Sequence, residues 1–303
     1  MIEKIAQVEL VGDVIEDQNL SGLALVGDYL LMGSDEGHAI QLFTKEGQSE
    51  WRVQSSIELA DSKEETDLEA IGFADGFLYA IGSHARRRRT LKPDSKARKN
   101  LKRFTKIDRQ KSRERLYRIP FDQKRGVFGK PESISLSKQL RSDSIMGPFV
   151  KIPSKENGID IEGLTIAGGR LYLGFRGPVL RSNLVPVWNL EFDNPKKYSQ
   201  LFVDLGGQGI RDMVSVDKGF LLLSGPVNDM QGSFYLWWWD GCDQLSGIDR
   251  AIQPVKMLGE IDAPGGAKAE GITLLSQTMS QVDLLLVCDS IANGGCTHYR
   301  VDL

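Results

Sequence analysis

One pattern recurs five times along this chain, and it limits the fold more than any other feature. A small or acidic residue opens a short alternating apolar run. A tight turn follows, and a second apolar run ends in glycine or a polar residue. The copies begin at Ser21, Glu69, Glu162, Asp212 and Glu270. Asp75-Gly76, Gly168-Gly169 and Lys218-Gly219 stand where a hairpin turn demands positive φ. With 32 glycines in 303 residues, the chain has the turn chemistry that many short strands need.

Two further strand-like runs follow each pair: Ala39–Phe43 and Trp51–Leu59, then Arg115–Phe121 and Val127–Leu136. The third and fourth repeats give Val185–Phe192 with Gln200–Leu205, and Ser233–Trp239 with Gln253–Ile261. The fifth has only Thr297–Leu303, but Ile5–Val11 near the start alternates apolar and polar residues and can supply the missing strand. Four strands per repeat predict an all-β, five-bladed β-propeller closed by its N-terminal strand. The expected unit is one domain over 1–303, with an insertion at 86–115 in the second blade. The long interval between Glu69 and Glu162 holds that insertion; a sixth blade hidden there is the alternative.

The insertion is the charge anomaly. From Arg86 to Arg118 there are sixteen Lys/Arg and three acids, in a chain whose net charge is -3. The remainder is therefore strongly acidic. The segment reads as a loop or solvated helix pairing with that acidic body, or as an attractor of a small anion. Nucleic acid is not expected, because Phe104 is its only central aromatic and an acidic body repels a long polyanion. The three cysteines show no CxxC spacing, no apolar run nears the ~20 residues of a membrane span, and Met1–Gln7 has no basic-then-apolar leader. A cytoplasmic monomer without membrane contact is expected.

In a propeller the first strand of each blade lines the axis, so Glu69, Glu162, Asp212 and Glu270 should ring one mouth of the channel, with Asp67 and Asp160 close by. Residues ending the second strands should emerge there too. These include Asp35, His84, Arg176, Asn228 and Asp289, and the insertion brings Arg86. Converging carboxylates repel unless a proton or cation lies between them. The ring then has two readings. It can hold a Ca2+ ion, which accepts an irregular shell of oxygens, or it can fix blade register by pairing with backbone N–H groups or with Arg211, Lys268 or Arg176. Asp35 and His84 are the candidates to act on a reacting water, and Arg176, Arg86, Asn228 and Asp289 the candidates to contact substrate. No nucleophile elbow, phosphate-binding loop or zinc spacing is present in the sequence.

Asp67-Leu68-Glu69-Ala70-Ile71, Ile81-Gly82-Ser83-His84 before a basic stretch, Asp160-Ile161-Glu162-Gly163-Leu164, Gly174-Phe175-Arg176-Gly177-Pro178 and Lys268-Ala269-Glu270-Gly271-Ile272 together resemble bacterial propellers grouped as domain of unknown function 3616. The likeness spans about residues 20 to 303 and implies a fold without assigning an activity. More distantly, the Glu-Gly strand starts look like those of phytase-like and lactonase-type propellers. That likeness implies calcium held by Glu69, Glu162 and Glu270 and hydrolysis of phosphoesters or esters; Asp212 and Ser21 depart from its pattern. The second function class is a non-enzymatic propeller whose mouth or rim binds a ligand or protein partner.

Overall fold

The computed structural model describes residues 1–59, 64–249 and 252–303. Five antiparallel four-stranded sheets succeed one another along the chain, and their first strands are Leu20–Val26, Leu68–Ala74, Asp160–Ala167, Gly209–Val216 and Lys268–Gln277. Each of these packs against the first strand of the next sheet, and the fifth returns to the first, so the ring closes as a five-bladed β-propeller. The 93-residue interval contains no sixth blade: it holds a small two-stranded arm, the third and fourth strands of blade two, and a crossover.

The apolar pattern explains why the blades stack. Five buried clusters lie one between each adjacent pair of blades, such as Ala70, Ile81 and Leu116 against Ile161, Leu164 and Leu171. Alternate residues of one strand serve opposite neighbours. Trp237 and Trp239 join the cluster shared with blade three, while Trp238 packs towards blade five.

The termini close the ring differently from the reading above. Ile2–Gln7, rather than Ile5–Val11, pairs antiparallel with Thr297–Asp302 as the outer strand of blade five. The chain then crosses at Val8, whose amide donates to Cys296 O at 2.8 Å. Glu9–Val11 runs parallel to Glu50–Glu58 of blade one, so one terminal segment clasps two blades. The outer strand of blade two is also divided, into Val127–Phe128 and Glu132–Ile134. Pro131, without an amide proton, falls in the gap.

The basic insertion is not a loose loop. Arg86–Arg88 and Ile107–Arg109 pair antiparallel, and the helix Ala97–Phe104, none of whose residues is buried, lies between them. No helix among the described residues is long and apolar enough to cross a membrane.

Candidate functional site at the channel mouth

In every first strand the ladder to the second strand skips at the same height. Pairing passes from Leu68 to Ala70, from Ile161 to Gly163, from Ile210 to Asp212 and from Ala269 to Gly271. In blade one it passes from Leu20 to Leu23. A β-bulge re-aims the unpaired side chain, and the residues so re-aimed are Glu69, Glu162, Arg211 and Glu270, with Ser21 in blade one. The residue after each is small in four blades: Gly22, Ala70, Gly163 and Gly271. The neighbouring backbone explains this, because a Cβ on Gly271 would lie 2.1 Å from Ser21 O.

This register places Asp212 one position off the ring. Its carboxylate accepts the backbone N–H groups of Met213 at 2.7 Å and Ile272 at 2.8 Å, tying blade four to blade five. Burial pushes its pKa well above the carboxylate range, against the pull of those donors. The ring position in blade four belongs instead to Arg211, a cation among acids. Its Nη1 lies 2.7 and 2.6 Å from the two Glu270 carboxylate oxygens and 3.3 Å from Glu162 Oε2.

Above this ring opens a cavity of ≈ 730 Å³. On its floor Arg176 pairs with Asp160 and, at 2.7 Å, with Glu162. Arg113 pairs with Asp67 at 2.8 Å and with Glu65, while the Ser83 hydroxyl donates to Asp67. Lys268 reaches Asp289 at 2.7 Å. Glu69 stands apart. One oxygen each of Glu69, Asp160 and Glu162 lie within 4.8 Å of one another, yet Glu69 has no hydrogen-bond or ion-pair partner among the described residues. Burial first, then Glu162, Asp67, Asp160 and Asp35, push its pKa well above the usual range. Asp35 is the other unbalanced acid. Its Oδ1 is buried without a hydrogen bond, and burial, with Asp67, Asp289 and Glu270 nearby, lifts its pKa to about 8.

The arm forms the rim. Arg86 to Arg89, Leu91 and Phe104 line the cavity. The Arg88 guanidinium clamps Glu156 with both ends and lies 5.0 Å from the Phe104 ring centre. Across the opening Lys155 reaches Asp229 at 2.6 Å. These pairs are exposed, and solvent screens them.

Of the residues singled out by sequence, the cavity thus gathers Asp35, Glu69, Glu162, Glu270, Arg176, Arg86 and Asp289. Three others line no part of it. His84, at φ 56, turns into the protein. Its Nδ1 lies 2.8 Å from Gly82 O and its Nε2 accepts the Leu136 N–H at 3.2 Å. Burial lowers its pKa to about 4, so it is a neutral, satisfied imidazole. Asn228 accepts the Met230 N–H at 3.0 Å in its own turn, leaving Asp229 at the rim. Asp212 is the third. Arg113 was missed, and no spacing in the sequence distinguishes it from the other cations of the insertion.

A five-bladed propeller with an acid-rich, arginine-braced channel mouth is the class of protein this defines. Residues 19–299 match the family described as "Protein of unknown function (DUF3616)", and the chain belongs to that family. No curated protein matches the sequence. Among solved structures, glutaminyl cyclase of Myxococcus xanthus superposes over 100% of this chain and 95% of its own, with a TM-score of 0.53 and 10% identity. An exo-beta-1,3-galactanase from Phanerochaete chrysosporium, with beta-1,3-galactotriose, covers 100% of this chain at a TM-score of 0.51 and 10% identity. The match spans 64% of that chain. At such identity the likeness is one of fold.

Proposed function

We propose that the channel mouth is a hydrolytic site for a small anionic phosphoester or ester, assisted by a calcium-type cation held by Glu69, Asp160 and Glu162. The observation that carries this reading is Glu69, pressed among acids without a partner. A carboxylate so placed keeps its charge beside a cation and otherwise retains a proton. The donor chemistry fits a divalent cation: Glu69 is unengaged among the described residues, and Glu162 Oε2 is buried without a hydrogen bond, its ion contact being Arg211 Nη1 at 3.3 Å. Both are the hard oxygens that calcium takes. A cation bound there would polarise a phosphoryl or carbonyl oxygen.

The chain's own residues supply the rest. Arg86 and its neighbours on the arm draw an anion towards the opening. Asp35, protonated up to about pH 8, can donate its proton to a leaving oxygen at neutral pH. A second reading is favoured by the arginines. Arg176 and Arg211 pair with Asp160, Glu162 and Glu270, and protons on Glu69 and on Glu162, whose pKa burial lifts to about 8, would complete the balance without metal. The mouth would then bind an anion without turning it over. A panel of phosphatase and esterase substrates, assayed with calcium and with chelator, separates the two. The hydrolytic reading expects turnover that needs calcium and falls at least ~100-fold in Glu69→Gln, the scale of losing a charge-stabilising group. Binding of a phosphoester without turnover under any condition supports the scaffold and rejects the hydrolase.

A further inference from the structure

A second cavity, of ≈ 270 Å³, lies at the base of the arm and shares no lining residue with the mouth. Arg109, Lys111, Arg115, Lys138 and Arg141 converge on it. They come from the end of the arm and from the crossover after blade two, parts that only the fold brings together. The cavity holds one carboxylate, Glu114, and it is already engaged. Arg109 grips it with two nitrogens, and the Ser137 hydroxyl donates to Glu114 Oε2 at 2.6 Å. Lys111, Arg115, Lys138 and Arg141 are exposed and have no ion-pair partner among the described residues.

Four unbalanced cations around one concavity repel each other and relax when a multivalent anion enters. The excess is felt beyond the cavity. Burial and then Arg109, with Arg141 adding, disfavour the charged form of Arg86 at the mouth. A single carboxylate would leave most of this charge unmet. A phosphate group carries up to two negative charges with three or more acceptor oxygens, and guanidinium forks match it bidentately.

We propose that this cavity is a phosphate-group binding site, separate from the mouth, formed by Arg109, Lys111, Arg115, Lys138 and Arg141. The inference stands whether or not the mouth is hydrolytic. Titration of inorganic phosphate and of glucose 6-phosphate into the full-length protein, followed by calorimetry at low and high sodium chloride, tests it. Glucose serves as the uncharged control, and the two phosphate compounds distinguish free phosphate from a phosphorylated small molecule. The expected result is binding of at least one of the two, weakened by salt. It should fall at least ~10-fold when Arg115, Lys138 and Arg141 are replaced by serine, because charge-assisted contacts are lost. It should persist when Arg87 and Arg89 at the mouth are replaced instead. The three side chains are exposed, so the melting temperature should hold; the single changes Lys138→Gln and Arg141→Gln give the same reading if the triple variant does not fold. Absence of binding to the native protein, unchanged binding in the serine variant, or binding abolished only by the mouth changes would each overturn the proposal.

Discussion

The two halves of the ring at the channel mouth solve the same electrostatic problem in different ways. Around blades three to five, Asp160, Glu162 and Glu270 each have an arginine partner, although two arginines leave one of the three charges unmet and burial lifts the Glu162 pKa to about 8. Arg176 holds Asp160 and Glu162, and Arg211 holds Glu162 and Glu270. Around blades one and two, Asp35 and Glu69 converge with no ion-pair partner among the described residues, and both are driven towards retaining a proton. The paired half is held together by its arginines, although Glu162 within it also holds its proton more tightly than usual. The unpaired half should respond to pH, and would respond to a bound cation, as candidate working sites do.

The largest effect should come from breaking the paired half. Arg211→Met leaves Glu162 and Glu270 short of a buried partner, and such losses cost about 3–5 kcal/mol. Urea unfolding should show this as a lower midpoint with little change in slope. The unpaired half should respond to pH instead. The folded protein keeps the Asp35 proton up to about pH 8, whereas the carboxyl ordinarily releases it near 3.8. The folded state thus holds an extra proton between those values. Its stability falls as pH rises through that window, and the contribution of the proton is lost above about 8. Asp35→Asn mimics the protonated acid, so the variant should gain on the native protein from pH 5 to about pH 8 and level off above it. A constant difference between the two would detach Asp35 from this account. The smallest effect belongs to the rim. Replacing Arg86–Arg89 with serine removes solvent-screened pairs and should barely move the unfolding midpoint. It should weaken binding of a phosphoester most at low salt, where screening is least.

Much of the fold was legible because a propeller writes its repeat into the sequence: paired apolar runs, turn glycines and a recurrent strand start. Glu69, Glu162 and Glu270 were legible for a further reason, since each precedes a small residue where the neighbouring strand passes close. Blade four hid its register because Asp212, an acid, stands beside Arg211, the residue that the bulge turns to the axis. The small residue after each ring position was the signal that could have separated them; Asp212 replaces it by bonding the backbone of blade five. His84 was misplaced because its positive φ, which no local sequence feature announces, swings the ring inward. The arm was hard to read because its first strand is a run of arginines and its second, Ile107–Arg109, is only three residues long. Its order comes from partners distant in sequence, such as Glu156.

Calcium titration by calorimetry, on the native protein and on Glu69→Gln, bears most directly on the unpaired half. The account predicts one calcium per chain, proton release on binding because a cation favours the charged form of Glu69, and loss of both signals in the variant. Calcium binding that survives Glu69→Gln unchanged, or no calcium binding by the native protein, would contradict it.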